Sequence, residues 1–344
     1  MPRAGKLLGK GNRVVERWAS TTRCLAALVF LLALPRGASP QQSSTPGLSP
    51  SDPYKISVNV SSVVLHATVK NRTGSSISGL EKTDFQVYED GVPQSIEYFS
   101  HNDIPVTVGL VLDNSGSMRP NRNEVIAAGV AFARSSNPQD QMFVVNFNEH
   151  VSLGLPAGIL FTDQAAQLQM ALARFHADGE TALYDALVAA LDHLKLGDRD
   201  KKVLIVVSDG GDNASKYKLS QVLALAGHSG AIVYTIDIHV DEDVDRNPAA
   251  LRQLASVTGG QDFVVESLPE VVPICERIAH DIREQYTLAY SPSNRTQDGS
   301  YRVILVKARA HSHGSLSVIT RAGYYAPIPS ESSRPIAGNQ SDLP

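Results

Sequence analysis

Residues 106–112, VTVGLVL, constrain the fold more than any other stretch of the chain. A strand with so little polarity has no face to offer water. Both faces must be covered, as they are in a parallel sheet flanked by helices. Residues 203–207, VLIVV, repeat the pattern. Between and after them the period changes from two to that of a helix. Leu183, Leu187, Leu191 and Leu194, for example, share one helical face. Helices are expected at 123–134, 163–175, 182–196, 218–226, 249–257 and 268–284, with further strands at 142–147, 231–236 and 262–265. Alternating strands and helices across residues 104–283 predict an α/β domain with a mainly parallel central sheet.

The flanks read differently. Ile56, Val58 and Val60 alternate with polar positions, then Val63, Leu65, Ala67 and Val69 do the same. The segment DFQVYEDGVPQSIEYF adds two strands about an Asp90-Gly91 turn, which makes four before Ser100. Period two returns after residue 284 with Tyr286, Leu288 and Tyr290, then Tyr301, Val303 and Leu305, then residues 316–321. Three strands alone are too few for a stable sheet in water. Taken with the first four they make seven, the count of an immunoglobulin-like sandwich. The expectation is one β domain split into residues 54–103 and 284–327, with the α/β domain of residues 104–283 inserted between its halves.

The ends carry their own signals. Residues 24–34, CLAALVFLLAL, follow a stretch rich in Lys and Arg and form an apolar run of 11 residues. A membrane span takes about 20. The run suits a secretory signal over residues 1–39, with small residues near Ala38 for cleavage. This predicts an exported, bacterial-type protein that is periplasmic, cell-surface or secreted. An uncleaved anchor is the alternative, and the only route to membrane attachment. Residues 40–53 read as a Ser- and Pro-rich linker, and residues 328–344 as a disordered tail. The chain has 2 cysteines. With Cys24 inside the signal, only Cys275 remains, so no internal disulfide is expected and Cys275 reads as a buried apolar residue. A net charge of -4 leaves no electrostatic footprint for nucleic acid.

The strand at 106–112 runs into LDNSGSM. Asp113, Ser115 and Ser117 put three oxygen side chains on one tight loop, with Gly116 expected to let it turn. Asp209 follows the strand at 203–207, and ligands of an open parallel sheet gather beyond the carboxyl ends of its strands. Thr181 opens the helix after the loop HADGE and can reach the same edge. Taken singly, Ser117 and Thr181 are helix caps and Asp209-Gly210 is a turn. Together the five make an all-oxygen set suited to a hard cation such as Mg²⁺, Mn²⁺ or Ca²⁺. Hydroxyl ligands leave the ion residual positive charge, and with it the capacity to accept a carboxylate from a partner.

D-x-S-x-S after an apolar strand, a later Thr and a later Asp in SDG resemble the von Willebrand factor A domain and its metal-ion-dependent adhesion site. The resemblance covers residues 104–283 and implies a Rossmann-like fold. It also implies that Ser115, Ser117 and Thr181 touch the metal, with Asp113 and Asp209 holding it directly or through water. The flanks GLEKTDFQVYEDGVPQSIEYF, YTLAYSPSN and RAGYYAP are similar to the acidobacterial-type VWFA-related domain proteins. The function implied is a metal-dependent, adhesion-type protein-binding module whose partner supplies an Asp or Glu. A metal-independent envelope interaction scaffold is the alternative.

Other features carry less. Asp241, Asp243 and Asp245 alternate in DIHVDEDVD, but no Gly or closing Glu follows at Ca²⁺-loop spacing. His176 and His239 lack zinc-protease spacing. Asp212 and Asn213 either orient the site or belong to a plain loop. The chain has no G-x-S-x-G elbow and no base beside Ser115 or Ser117, so it is not expected to be an enzyme.

Overall fold

The computed structural model describes residues 62–174, 176–238, 245–310 and 315–328. The expected signal, linker, strand at 56–60 and tail beyond residue 328 lie outside the described residues, as do Asp241, Asp243 and His239. Among the described residues no helix is long and apolar enough to cross a membrane.

In chain order the elements are β1 (Val63–Lys70), β2 (Phe85–Glu89), β3 (Val92–Gln94), β4 (Tyr98–Ser100), β5 (Val106–Asp113), α1 (Arg122–Ser135), β6 (Gln141–Phe147), β7 (Val151–Leu153), α2 (Ala165–Ala173) and α3 (Leu183–Leu194). There follow β8 (Lys201–Ser208), α4 (Leu219–Ser229), β9 (Ile232–Ile238), α5 (Pro248–Thr258), β10 (Asp262–Val265), α6 (Val271–Arg283), β11 (Tyr286–Tyr290), β12 (Tyr301–Ala308), β13 (Ser317–Ile319) and β14 (Gly323–Tyr325).

The central sheet has six strands in the order β10-β9-β8-β5-β6-β7, all parallel except β7. β5 is buried at every position, as its unbroken apolar run requires. Its core includes Leu110 and Val111 of β5, Ile205 and Val206 of β8, and Leu168, Leu187, Leu251 and Ile278 from the covering helices. Chain order reverses direction at β5, because β6 pairs on one side of it and β8 on the other. That reversal is the switch point of the sheet, and beyond the carboxyl ends of β5 and β8 at such a point lies the crevice where folds of this kind place ligands.

The flanking strands form two further sheets of four, β13-β1-β11-β4 and β14-β12-β2-β3. Each mixes strands from before and after the α/β segment. β1 pairs antiparallel with β11, and β2 with β12. Leu65, Val69, Tyr286 and Leu288 of the first sheet share one apolar cluster with Phe85, Val87, Ile304 and Val306 of the second.

Six of the seven expected flanking strands fall within the described residues, where eight are present. The segment expected to give two strands gives β2, β3 and the short β4, and β14 follows the expected strand at 316–321. The Asp90-Gly91 turn is as expected. Both residues have positive φ, 49° and 81°, and they join strands paired Glu89 to Val92. This is the two-residue hairpin geometry that Asp-Gly favours.

α6 is separated from β11 by Glu284 and Gln285 alone. Around this junction Lys70 Nζ of β1 lies 2.9 Å from Asp281 Oδ2 of α6, with both side chains about 5% exposed or less. Ser76 donates to Asp281 Oδ1, and Gln285 Nε2 donates to Thr68 Oγ1 of β1 and to Tyr234 OH of β9.

Candidate functional site

The parallel register sets Leu112 of β5 beside Val207 of β8. Asp113 and Ser208 therefore end level with one another at the crevice, and Asp209 is the next residue. The carboxylate of Asp113 folds the loop beneath it by accepting the Ser115 N–H at 2.9 Å through Oδ1. Its Oδ2 accepts the Ser208 hydroxyl at 2.6 Å. A 3-10 turn, Gly116–Asn121, then leads into α1.

The hydroxyls do not act as helix caps. Ser117 sits inside the 3-10 turn and donates to Asp209 Oδ2 at 3.0 Å, across from one strand end to the other. The Ser115 and Ser117 hydroxyl oxygens are 3.2 Å apart. Thr181 lies two residues before α3, whose N-cap is Ala182. Its N–H donates to Asn213 Oδ1 at 2.8 Å, and its carbonyl accepts the N–H groups of Asn213 and Ala214. Gly116 N–H donates to the Gly179 carbonyl, which draws the Thr181 loop over the β5 loop. Asp113, Ser115, Ser117 and Asp209 are thus joined by hydrogen bonds, and Thr181 is tied through its backbone to Asn213 and Ala214 of the loop after Asp209.

The expectation that Gly116 is the glycine the turn requires needs correction. Its added Cβ would meet the Gly179 carbonyl at an ordinary 3.4 Å. Gly210 is the constrained one: φ is +82° and a Cβ would sit 2.5 Å from the Asn247 carbonyl oxygen. It lets the β8 loop turn immediately after Asp209.

The site is buried as well as polar, apart from the half-buried Ser117. Asp113 is 4% exposed, Ser115 and Asp209 1% each, and Thr181 6%. Burial pushes the Asp113 carboxyl up to about 7. The hydrogen bonds from Ser115 and Ser208 oppose the rise, and the Asp209 charge adds to it. The Asp209 charge raises the Asp113 carboxyl, and a cation held by both carboxylates would offset that repulsion. Among the described residues no three His, Cys, Asp or Glu side chains gather as a metal cluster. The donor set is therefore two carboxylates completed by neutral hydroxyls, which fits a hard, oxygen-seeking divalent ion.

Several supporting residues escaped the sequence reading. Ser208 orients Asp113 and accepts the Gly210 N–H at 3.0 Å. Its signal was a hydroxyl next to Asp209 at the end of an apolar strand. Asn114 bonds Asn146 of β6 at 3.1 Å and accepts from Arg122, tying the loop to its neighbours. Of Asp212 and Asn213, only Asn213 touches one of the five, Thr181, whereas the Asp212 contacts lie outside the set. Asp212 Oδ1 accepts the Tyr184 N–H and the Ser215 hydroxyl, and Asn213 holds Thr181 and Asp245. His176 is exposed in the loop before Thr181.

Residues 108–211 match the family model for the von Willebrand factor type A domain. No curated protein matches the chain. Among solved structures, a von Willebrand factor type A protein from Catenulispora acidiphila is 13% identical, covers 80% of this chain and 76% of its own, and has a TM-score of 0.48. The vWF domain of the type V pili tip protein Mfa5 from Porphyromonas gingivalis is 14% identical over 52% of this chain and 95% of its own, with a TM-score of 0.44. Proximal thread matrix protein 1 from the mussel byssus, with a zinc-occupied MIDAS motif, is 18% identical over 57% of this chain and 50% of its own, with a TM-score of 0.46. The matched segment runs from β5, through the loops that carry Asp113, Ser117 and Thr181, to the glycines after Asp209, and over residues 108–211 the chain is similar to the von Willebrand factor type A domain.

Proposed function

We propose that the protein is an exported, divalent-metal-dependent protein-binding module of the adhesion type, and not an enzyme. Asp113, Ser115, Ser117, Thr181 and Asp209 hold Mg²⁺, or Mn²⁺ or Ca²⁺, and an Asp or Glu of a protein partner completes the coordination. The observation that carries this is the Ser117 hydroxyl, which bridges Ser115 on the β5 loop to Asp209 on the β8 loop at the switch point of the sheet. Among the described residues Ser115 and Ser117 bond to each other and to the Asp209 carboxylate, and no imidazole touches either hydroxyl. Export rests on the apolar run at residues 24–34.

In the same reading, residues 54–103 and 284–327 are the halves of one immunoglobulin-like sandwich and residues 104–283 are the inserted domain. Residues 1–39 are a signal peptide, 40–53 a linker and 328–344 a tail. The similarity of the flanking motifs to the acidobacterial-type VWFA-related proteins supports this reading.

The test is thermal unfolding in EDTA and then in rising Mg²⁺ or Mn²⁺. A ligand at 100 times its dissociation constant stabilises the native state by about 2.7 kcal/mol. Wild type should gain stability with metal, and Asp113→Ala and Ser117→Ala should not. Equal stability of wild type with and without metal, together with partner capture that survives EDTA, would sink the reading in favour of a metal-independent scaffold.

A further inference from the structure

A second polar site lies in the β unit, away from the crevice. Its interior holds a network centred on Glu89. Arg302 Nη1 lies 3.2 Å from Glu89 Oε1, with both side chains 2% exposed or less. Tyr290 and Tyr324 donate their hydroxyls to Glu89 Oε2 at 2.7 and 3.1 Å. Arg302 also donates to the Asn294 and Thr296 carbonyls, and the part-exposed Asp298 stands 3.9 Å from it. Arg302 is therefore compensated.

Arg321 is not. Its Nη2 donates to the Val64 carbonyl at 2.9 Å, and its guanidinium lies 5.7 Å from the centre of the Tyr324 ring. Among the described residues no carboxylate stands within ion-pair distance of it. A guanidinium stays charged under all ordinary conditions, and a charge removed from water without a counterion is costly.

Both guanidiniums reach the wall of one cavity of about 500 Å³, and the exposed Arg295 joins them there. Among the described residues no Asp or Glu is on that wall, which otherwise combines polar groups such as Ser62, Ser291 and Tyr324 with apolar Val63, Pro292, Ala326 and Pro327. Three of the lining groups are short of partners among the described residues: Ser62 Oγ, Arg302 Nε and Arg321 Nε are buried with no hydrogen bond. Two arginines with no carboxylate paired to them among the described residues, Arg321 and Arg295, and an Arg321 Nε without an acceptor describe a recognition site for negative charge.

We propose that this cavity binds a small-molecule oxyanion, a phosphate or carboxylate group held by Arg321 and Arg295 with Arg302 behind them. The site is independent of the metal site, since it shares no residue with it.

The experiment is thermal unfolding and titration calorimetry of the full chain in EDTA, with inorganic phosphate or succinate against sodium chloride at equal ionic strength. Wild type should be stabilised by at least one of the two oxyanions beyond chloride. Phosphate alone assigns a phosphate ligand, and succinate alone a carboxylate. Arg321→Met should bind about tenfold or more weakly, the value of one lost charge-assisted hydrogen bond. Arg295→Gln, at an exposed position, should weaken binding while leaving the unliganded melting temperature unchanged. It serves as the decisive variant if Arg321→Met does not fold. A wild type that responds to neither oxyanion more than to chloride overturns the proposal, and so does undiminished binding in Arg295→Gln together with any folded Arg321→Met.

Discussion

Breaking the pair between Lys70 and Asp281 tests how firmly the β unit is joined to the α/β domain. Asp281→Ala leaves the Lys70 ammonium, in a side chain 5% exposed, with only the Gln261 side-chain oxygen at 2.8 Å. Ser76 loses its acceptor as well. Removing one member of a buried ion pair costs about 3–5 kcal/mol. With a urea slope of roughly 2–3 kcal/mol/M, the unfolding midpoint should fall by about 1.5 M. Lys70→Met should cost less, because Asp281 keeps the Ser76 hydroxyl and has Arg277 Nε at 4.0 Å. The double variant Lys70→Met with Asp281→Leu should recover most of the loss, since two apolar groups leave no buried charge behind. The assay is urea unfolding followed by far-UV circular dichroism, analysed as a double-mutant cycle. A loss below about 1 kcal/mol in Asp281→Ala, or strictly additive single effects, would show that the pair is solvated and does not join the two units.

Other outcomes follow from the packing and the charges. Gly109→Ala should destabilise by about 1–3 kcal/mol in the same assay, because its Cβ would lie 2.4 Å from Phe143 Cζ and 2.6 Å from Leu204 Cδ2. Buried Lys201 donates to the Ile282 carbonyl, and burial pulls its pKa down to about 7 against the opposing charges of Asp140 and Asp103. The unfolded chain therefore binds more protons above that pH. Stability should rise between pH 7 and 10.5 by up to about 1.4 kcal/mol per pH unit, and Lys201→Met should abolish the slope. Asp140, raised to about 6 by burial, gives the opposite slope between pH 3.8 and 6. In a Cys24→Ser background, native protein should not react with a thiol reagent at mildly alkaline pH, because burial pushes the Cys275 thiol up to about 12; unfolding in urea should expose one thiol.

What the sequence made legible was what one strong physical signal sufficed to specify. The fully apolar runs of β5 and β8 could only be parallel strands covered on both sides, and Asp90-Gly91 could only be a tight hairpin. Where length was short the signal failed. β3, β4, β7 and β14 have three residues each, too few for a period to declare itself. At the site, the oxygen-bearing side chains were readable because they punctuate apolar strands. The roles of Ser115, Ser117 and Thr181 were less so, since serine and threonine before a helix look the same whether they cap it or face across a crevice. Only the register of β5 against β8 decides that. Arg321 gave no signal at all, because a lone arginine near a strand reads as a solvated residue until its surroundings are known.

The cross-segment pairing of the β unit has a kinetic consequence. His66 and Thr287, whose side chains meet at 3.2 Å, are 221 positions apart in the chain. Bringing them together across a disordered loop of that length costs about 5 kcal/mol of chain entropy. Folding of the intervening domain first removes most of that cost, because Asp103, just before β5, and Arg283, at the end of α6, are then 2.8 Å apart. During synthesis β1 and β2 emerge long before β11 and β12, so their partner edges wait until the intervening α/β segment has been made. The α/β domain is thus also the template on which the β unit closes, and a destabilised sheet core should appear first as aggregation of those waiting strands.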